Sequence, residues 1–262
     1  MALDAATIAK LAEHLEKAEL EAFDVTKITD DHPAMTIAEA YQVMEAIRDR
    51  KLARGIRQVG YKMGLTSRAK MVQMGVDKPG YGLLFDYFAV EDGGVIDTRK
   101  LIHPKVEAEI AFVTKAPLKG PGVHIGNVLA ATDFVLPALE IIDSRYRDFK
   151  FDMVSVIADN SSSCRFVTGG RSRDVSEVDL KTLGLVMEKN GQPVGLSCGA
   201  AVLGHPAASV AMLANMLGAK GQELPAGSFI MTGGVTAAVA VEAGDTVTVH
   251  YQDLGSISVS FI

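Results

Sequence analysis

The sequence lacks features on which several broad classes of protein depend. Cysteine is scarce, because the 262 residues contain only Cys164 and Cys198, and these two do not give the spacing of a metal site. A reduced, cytoplasmic setting is therefore the expectation. Basic residues are not in excess: 26 Lys and Arg face 32 Asp and Glu, the net charge is −6, and no basic run occurs. This charge balance argues against a general nucleic-acid binder.

Signals for export, membrane insertion and nucleotide binding are also missing from the sequence. Residues 1–4 show no basic region followed by an apolar core, so no signal peptide is visible, and no uninterrupted apolar stretch is long enough to span a bilayer. No Gly-x-Gly-x-x-Gly follows a strand pattern, and there is no Gly-x-x-x-x-Gly-Lys-Ser/Thr loop. The pair Gly233 and Gly234 predicts a tight turn rather than a phosphate loop. We expect neither a membrane partner nor a doubly wound nucleotide-binding sheet.

Apolar residues make up 48% of the chain, which is enough for a substantial core in one large domain or two small ones. The first 55 residues predict helices. Thr36 and Glu39 form a capping-box pattern at the start of the second helix, and Gly55 ends it. The first helix is indicated by apolar residues at helical spacing, namely Ile8, Leu11, Ala12, Leu15 and Ala18.

From residue 56 the pattern changes to short strand-like runs separated by Gly, Pro and Asp, with one late helix near His205. The predicted strands cover residues 59–63, 83–90, 106–114, 134–142, 154–158, 228–232, 246–251 and 257–262. Few of them are joined by long helices. We therefore predict an α+β fold with a mixed or antiparallel sheet.

Two glutamates, Glu107 and Glu109, alternate with apolar residues between residues 105 and 113. This period of two predicts a half-buried strand with both carboxylates on one face. Ala111 and Val113 continue that face, so the two like charges stand beside apolar neighbours and need compensation. A divalent cation such as Mg²⁺ or Mn²⁺ would supply it. The alternative is a strand edge whose glutamates are solvated or paired with Lys or Arg.

A third carboxylate, Glu140, lies in one of the most apolar stretches of the chain. A buried carboxylate without a partner is costly, so Glu140 predicts either an internal salt bridge or a metal site. Together with Glu107 and Glu109, the metal site is the better interpretation. Asp143 is a rival ligand, but it adjoins Arg145, and we expect it to pair with an arginine.

Lys62 is a second candidate for chemistry, because it stands between apolar residues on a predicted strand that ends in glycine. Beside a polar cavity it could act as an acid or base, or hold a substrate carboxylate. The alternative is a surface lysine whose stem covers apolar neighbours. Residues 159–163 follow a predicted strand and offer short hydrogen-bonding side chains, which fit either an ordinary turn or a site.

Five motifs then occur in the order that one known family shows. They are residues 60–67 (GYKMGLTS), 75–79 (GVDKP), 104–111 (PKVEAEIA), 139–145 (LEIIDSR) and 158–162 (ADNSS). With them the chain resembles, over nearly its whole length, the hydratase/decarboxylase branch of the fumarylacetoacetase-like superfamily. Members of this branch serve the bacterial meta-cleavage degradation of aromatic compounds.

The resemblance implies a fumarylacetoacetase-like mixed β-sheet roll, with an N-terminal helical portion at 1–55 and the catalytic domain at 56–262. It implies that Mg²⁺ or Mn²⁺ is bound, and it gives roles to eight residues. These are Glu107, Glu109 and Glu140 as metal ligands, Lys62 and Ser162 as catalytic residues, and Leu65, Asp77 and Asp159 as substrate contacts.

Finer features decide between the activities of the branch. Residues 231–238 (MTGGVTAA) resemble the decarboxylases, as do residues 70–75 and 143–146, whereas Tyr61 stands where other decarboxylases have leucine. The resemblance thus implies decarboxylation of 2-oxo-3-hexenedioate to 2-hydroxypenta-2,4-dienoate and CO₂. Two alternatives stay open: a 2-oxopent-4-enoate hydratase with the same metal site, and a non-catalytic partner subunit of such a hydratase. The family also implies a homo-oligomer and a complex with 2-oxopent-4-enoate hydratase.

Overall fold

The computed structural model describes residues 2–67, 71 and 78–262 of the chain. In this part of the chain, α-helices cover Ala5–Glu21 (α1), Ile28–Asp31 (α2), Ile37–Ala53 (α3), Ile125–Ala131 (α4), Met153–Ala158 (α5) and Pro206–Gly218 (α6). The strands are Gln58–Gly64 (β1), Gly80–Phe85 (β2), Ala89–Val90 (β3), Gly94–Ile96 (β4), Lys105–Thr114 (β5), Thr132–Ile142 (β6), Ser163–Thr168 (β7), Gly184–Lys189 (β8), Gln192–Cys198 (β9), Phe229–Met231 (β10), Val239–Ala240 (β11), Thr246–Tyr251 (β12) and Gly255–Phe261 (β13).

The strands form two mixed sheets. The larger sheet has the order β2-β1-β10-β5-β6-β7-β3, with β11 paired to β5, and the smaller sheet has the order β4-β13-β12-β8-β9. Most neighbours are antiparallel, while β1 with β10, β3 with β7, and β4 with β13 are parallel. The predicted α+β class is confirmed, with a helical N-terminal portion followed by a roll of mixed sheets.

The N-terminal helices form where the sequence predicts them. In α1, Ala12, Leu15 and Ala18 are buried, because their spacing places them on one face. At the start of α3 the Thr36 side chain accepts a hydrogen bond from the Glu39 backbone N–H, and the Glu39 carboxylate accepts the Thr36 N–H at 2.7 Å. The capping box is confirmed, and it fixes where α3 begins.

Two of the predicted strands differ from the structure: one is a helix, and the other is interrupted. Residues 154–158 are not a strand but most of α5, whose first turn is capped by Asp152 accepting from the Ser155 N–H. A short apolar run fits a buried helix as well as a buried strand, and here packing against α3 selects the helix. The predicted strand 83–90 is interrupted by a 3₁₀ turn at Asp86–Phe88, which separates β2 from β3.

The strand that carries Glu107 and Glu109 is more buried than predicted. β5 lies inside the larger sheet between β10 and β6, and all residues from Val106 to Phe112 are buried on both faces. The prediction of a half-buried strand and the alternative of a solvated strand edge are therefore both wrong. The alternation still holds, because it fixes which side chains share a face and not whether that face meets water.

The late helix near His205 is confirmed as α6, which is capped by the His205 side chain and has a proline at its start. The segment Gly199–Gly218 has the length and composition of a membrane-crossing helix, but half of it is buried within the fold. α6 packs against α4 and β1. It is a core helix of this fold.

Candidate metal centre and active site

Three glutamates converge on one face of the larger sheet. In the antiparallel pair β5–β6, Glu107 lies directly opposite Glu140, and Glu109 is two residues further along the same face. One carboxylate oxygen from each of the three lies within 4.8 Å of the other two, and all three side chains are buried. Like charges that face each other across a strand pair are destabilising, so this register is costly unless a cation compensates it.

The pKa values of these carboxyl groups also indicate that their charged forms are disfavoured. Burial, followed by the charge of Glu140, raises the pKa of Glu109 well above its usual range. Burial also raises the pKa of Glu140, while the Lys62 ammonium acts in the opposite direction. Within the described part of the chain, Glu109 Oε1 and Glu140 Oε1 have no hydrogen-bond partner, and Glu140 Oε2 is contacted by the Lys62 ammonium at 3.0 Å. Buried hard oxygen ligands without partners fit a divalent cation such as Mg²⁺.

Two glycines complete this cluster of glutamates. The backbone N–H of Gly233 donates to Glu109 Oε2 at 2.7 Å, and its φ of 98° lies in the region that favours glycine. A Cβ at Gly234 would lie 2.6 Å from Glu107 Oε2. The sequence predicts a tight turn at this pair and does not place it beside the carboxylates. The sequence feature that could have indicated this closeness is the position of the pair directly after a predicted strand.

Lys62 reaches the cluster from β1 and is only 3% exposed, which rules out the surface alternative. Its Nζ lies 3.0 Å from Glu140 Oε2 and donates to the backbone oxygen of Ser161 at 3.0 Å. The lysine therefore supplies one positive charge against three carboxylates. An ammonium has three N–H donors, so donor capacity remains for another acceptor.

The turn after α5 brings Ser162 to the same place. Asn160 pins this turn to β2, because its side chain accepts from the Leu83 N–H at 2.7 Å and donates to the Leu83 oxygen at 2.9 Å. Asn160, Ser161 and Ser162 all have positive φ between 50° and 58°, a conformation uncommon for residues other than glycine. The Ser162 hydroxyl is buried and has no hydrogen-bond partner among the described residues.

A cavity of about 260 Å³ opens beside these groups. Its polar lining consists of Lys62, Lys105, Glu107, Ser161 and Ser162, and Leu65, whose φ is 59°, also lines it. The remaining walls consist of Gly64, Gly80, Ile142, Phe149, Phe151, Met153, Val156, Ile157 and Ala238. A few polar groups in an apolar cavity are typical of a small-molecule site.

Asp143 and Asp159 are not part of the cavity lining. Asp77 is outside the described residues. Asp159 does not line this cavity and instead forms a buried ion pair with Arg145. The expectation that Asp143 pairs with an arginine is wrong: its carboxylate accepts the backbone N–H groups of Ile102 and His103 at 2.9 and 2.8 Å. Arg145 donates to the backbone oxygen of Asp143 at 2.6 Å, and not to its carboxylate.

Comparison with known proteins places the chain among named relatives. A 4-oxalocrotonate decarboxylase of Pseudomonas sp. (strain CF600) is 66% identical over 252 residues, which is 96% of each chain. A 2-hydroxyhexa-2,4-dienoate hydratase of Comamonas testosteroni is 41% identical over 236 residues, which is 89% of each chain. The structure of 4-oxalocrotonate decarboxylase from Pseudomonas putida G7, complexed with magnesium and adipate, matches with a TM-score of 0.98 at 63% identity and covers 99% of both chains.

The family described as fumarylacetoacetate (FAA) hydrolase C-terminal matches residues 85–261, which include the paired strands β5 and β6 and both glycines of the cluster. With that match and with relatives of this identity over nearly its full length, the chain belongs to the fumarylacetoacetate hydrolase family.

Proposed function

We propose that the protein is a metal-dependent carboxy-lyase that decarboxylates 2-oxo-3-hexenedioate (4-oxalocrotonate). In this proposal Glu107, Glu109 and Glu140 hold one Mg²⁺ or Mn²⁺. The observation that carries the metal site is the set of three buried carboxylates whose oxygens lie within 4.8 Å of one another. The reaction follows from the 66% identity to a 4-oxalocrotonate decarboxylase over 96% of the chain.

The reaction needs a place for negative charge. As the C5–C6 bond breaks and CO₂ leaves, its electron pair forms the C4–C5 double bond, the C3–C4 double bond moves to C2–C3, and the charge arrives on the 2-oxo oxygen. A bound divalent cation would act as a Lewis acid toward the 2-oxo oxygen and the adjacent carboxylate. Protonation of the resulting dienolate on oxygen gives 2-hydroxypenta-2,4-dienoate.

The protein's own residues position the substrate and stabilise the negative charge of the dienolate. The Lys62 ammonium is already fixed by Ser161 and Glu140, so its remaining donor can be held toward the developing dienolate without reorganisation. The Ser162 hydroxyl is the second polar group that we assign to catalysis. The apolar walls exclude water and so strengthen both contacts.

The other assignments have different support. Leu65 lines the cavity, and we assign it and Asp77 to substrate contacts. We propose that Asp159 acts indirectly: its pair with Arg145 holds the start of the turn that presents Ser162, since Arg145 also donates to the Ser163 oxygen at 3.1 Å. The catalytic domain would cover residues 56–262, with 1–55 as the N-terminal helical portion.

We also propose that the protein works in the cytoplasm as a homo-oligomer and binds 2-oxopent-4-enoate hydratase. The product dienol is unstable toward its keto form. Direct transfer to the hydratase would limit that loss.

The test is an ultraviolet assay of the purified chain alone, with 2-oxo-3-hexenedioate and, separately, with 2-hydroxypenta-2,4-dienoate. Loss of CO₂ from the first substrate should require added Mg²⁺ or Mn²⁺ and should vanish in Glu109→Gln, which should stay folded. Hydration of the second substrate instead would identify a hydratase. No turnover of either would identify a non-catalytic partner, and full activity after exhaustive chelation would refute the metal.

A further inference from the structure

A second cation, Lys105, lines the cavity and has no part in the cluster of glutamates described above. It is the first residue of β5, two residues before Glu107 and four before Glu109, so its side chain shares their face of the strand. Residues two apart on a strand have Cα atoms about 6.7 Å apart. The cavity thus has a lysine one strand repeat away from the carboxylates that would hold the metal.

The ammonium of Lys105 is available to a ligand. Its Nζ lies 3.9 Å from the centroid of the Phe149 ring, and in the described part of the chain no carboxylate forms an ion pair with it. Lys62, the other lysine among the described lining residues, already contacts Glu140 and Ser161. A cation held over an aromatic ring keeps its charge and most of its hydrogen-bonding capacity.

The backbone around Phe149 is shaped to keep the ring in this place. Asp148 and Phe149 have φ values of 55° and 58°, and two successive residues with side chains in this region are strained. The conformation is held by hydrogen bonds on both sides, from the Phe149 N–H to the Tyr146 oxygen at 3.1 Å and from the Lys150 N–H to the Arg147 oxygen at 3.1 Å. Backbone strain of this kind persists where the surrounding structure holds the residues in place. Here the residue that is held, Phe149, forms part of the cavity wall.

We propose that Lys105, supported by Phe149, binds the second carboxylate of a dicarboxylate substrate and makes the site selective for dicarboxylates over monocarboxylic 2-oxo acids. This inference rests on the proposed function. A six-carbon dicarboxylate with its 2-oxo end at the glutamates extends its far carboxylate into a cavity whose neighbouring walls include Phe149, Phe151 and Met153. Among the described residues that line the cavity, Lys105 is the lysine that is not paired with a carboxylate, so it can pair with the far carboxylate of the substrate.

The role is one of recognition, because the far carboxylate is the group that leaves as neutral CO₂. A cation beside it stabilises the bound substrate more than the transition state, in which this charge is disappearing. Removal of the cation should therefore raise KM and leave kcat unchanged or higher.

The test compares Lys105→Met with wild type and with Lys115→Met, which alters an exposed lysine just beyond the same strand. Calorimetry with Mg²⁺ present should show adipate binding weakened roughly ten- to hundredfold in Lys105→Met, as expected for loss of a charged hydrogen bond. Binding of 2-oxopentanoate should change little. Lys105→Arg, which keeps the charge and the ring contact, should restore part of the preference. Lys115→Met should match wild type.

Kinetics on 2-oxo-3-hexenedioate should show the raised KM without a lower kcat. An equal loss for adipate and 2-oxopentanoate, or no loss for either, would overturn the assignment of Lys105. If wild type binds adipate through Lys105 but turns over no substrate, the proposed function fails and the carboxylate subsite stands. If wild type binds neither ligand, both proposals fail.

Discussion

At the scale of single residues, one buried lysine joins two parts of the centre. Lys62 contacts Glu140 and the Ser161 backbone oxygen at once, so it links the glutamates to the turn that carries Ser162. Glu109 forms no ion pair with a described residue, and its Oε2 accepts from the Gly233 N–H. The three carboxylates are therefore not equivalent, and substitutions around them should have different consequences.

Lys62→Ala should lower kcat roughly 10²–10³-fold at saturating Mg²⁺, by analogy with removal of one oxyanion donor in a dry site. Lys62→Arg should rescue little, because two contacts at 3.0 Å suit a compact ammonium better than a planar guanidinium. Stopped-flow turnover and a Mg²⁺ titration of each variant give the measurement. A kcat near that of wild type in Lys62→Ala would show that the lysine is not catalytic.

Gly234→Ala should weaken Mg²⁺ binding about 10- to 100-fold, as changes beside ligands commonly do. The new Cβ would lie 2.6 Å from Glu107 Oε2, and the flexible carboxylate would move away from the centre. Gly184→Ala is the control, since its Cβ would meet only the Gln252 side chain at 3.6 Å. Calorimetric Mg²⁺ titrations and melting temperatures of both variants test this, and equal Mg²⁺ affinity in the two would contradict it.

At the scale of elements, the register of β5 against β6 decides where the carboxylates meet. The pair runs from Lys105 opposite Ile142 through Glu107 opposite Glu140, and a slip of one residue would turn Glu140 to the other face. Burial on both faces of β5 makes such a slip costly, because it would move apolar side chains out of their contacts. Packing thus maintains an arrangement of like charges that the charges alone would disfavour.

The capping box of α3 predicts a pH dependence of stability. Hydrogen bonds from the Leu3 N–H, the Thr36 hydroxyl and the Thr36 N–H lower the pKa of Glu39 from 4.5 to about 2. A carboxyl with a lowered pKa stabilises the fold above its unfolded pKa, and this contribution is lost as pH falls through the folded pKa. Glu39→Gln should therefore melt at a lower temperature than wild type at pH 7, and the difference should shrink between pH 4.5 and pH 2.

Glu13→Gln is the matched control for that series, because Glu13 also lies on an N-terminal helix and its side chain is 65% exposed. Its melting temperature should follow that of wild type over the whole pH range. A difference for Glu39→Gln that is the same at pH 7 and at pH 2.5 would show that the carboxylate charge has no part in the cap.

At the scale of the whole molecule, the smaller sheet ends in an apolar edge. β9 is the outer strand of that sheet, and its Val194 and Leu196 are 43% and 76% exposed. Edge strands of this kind readily pair with another chain. Sedimentation velocity should therefore show a species heavier than the 27.8 kDa monomer, and addition of 2-oxopent-4-enoate hydratase should shift it further. A monomer at micromolar concentration that ignores the hydratase would refute the proposed assembly.

The local features of this protein follow from short stretches of its sequence. The alternation around Glu107 and Glu109 fixed their common face, and the pattern from Thr36 to Glu39 fixed the start of α3, because both depend on neighbours within a few residues. The resemblance of the ordered motifs added the family and the mixed β-roll, and the match over residues 85–261 agrees with it.

Contacts between residues far apart in the sequence depend on the packing of the whole fold. Glu140 faces Glu107 across 33 positions of sequence, Lys62 reaches Ser161 across 99, and Gly233 donates to Glu109 across 124. Local propensity cannot set these contacts, because they follow from the strand register that buries the most apolar surface without leaving backbone groups unpaired. The same packing turned residues 154–158 into a helix.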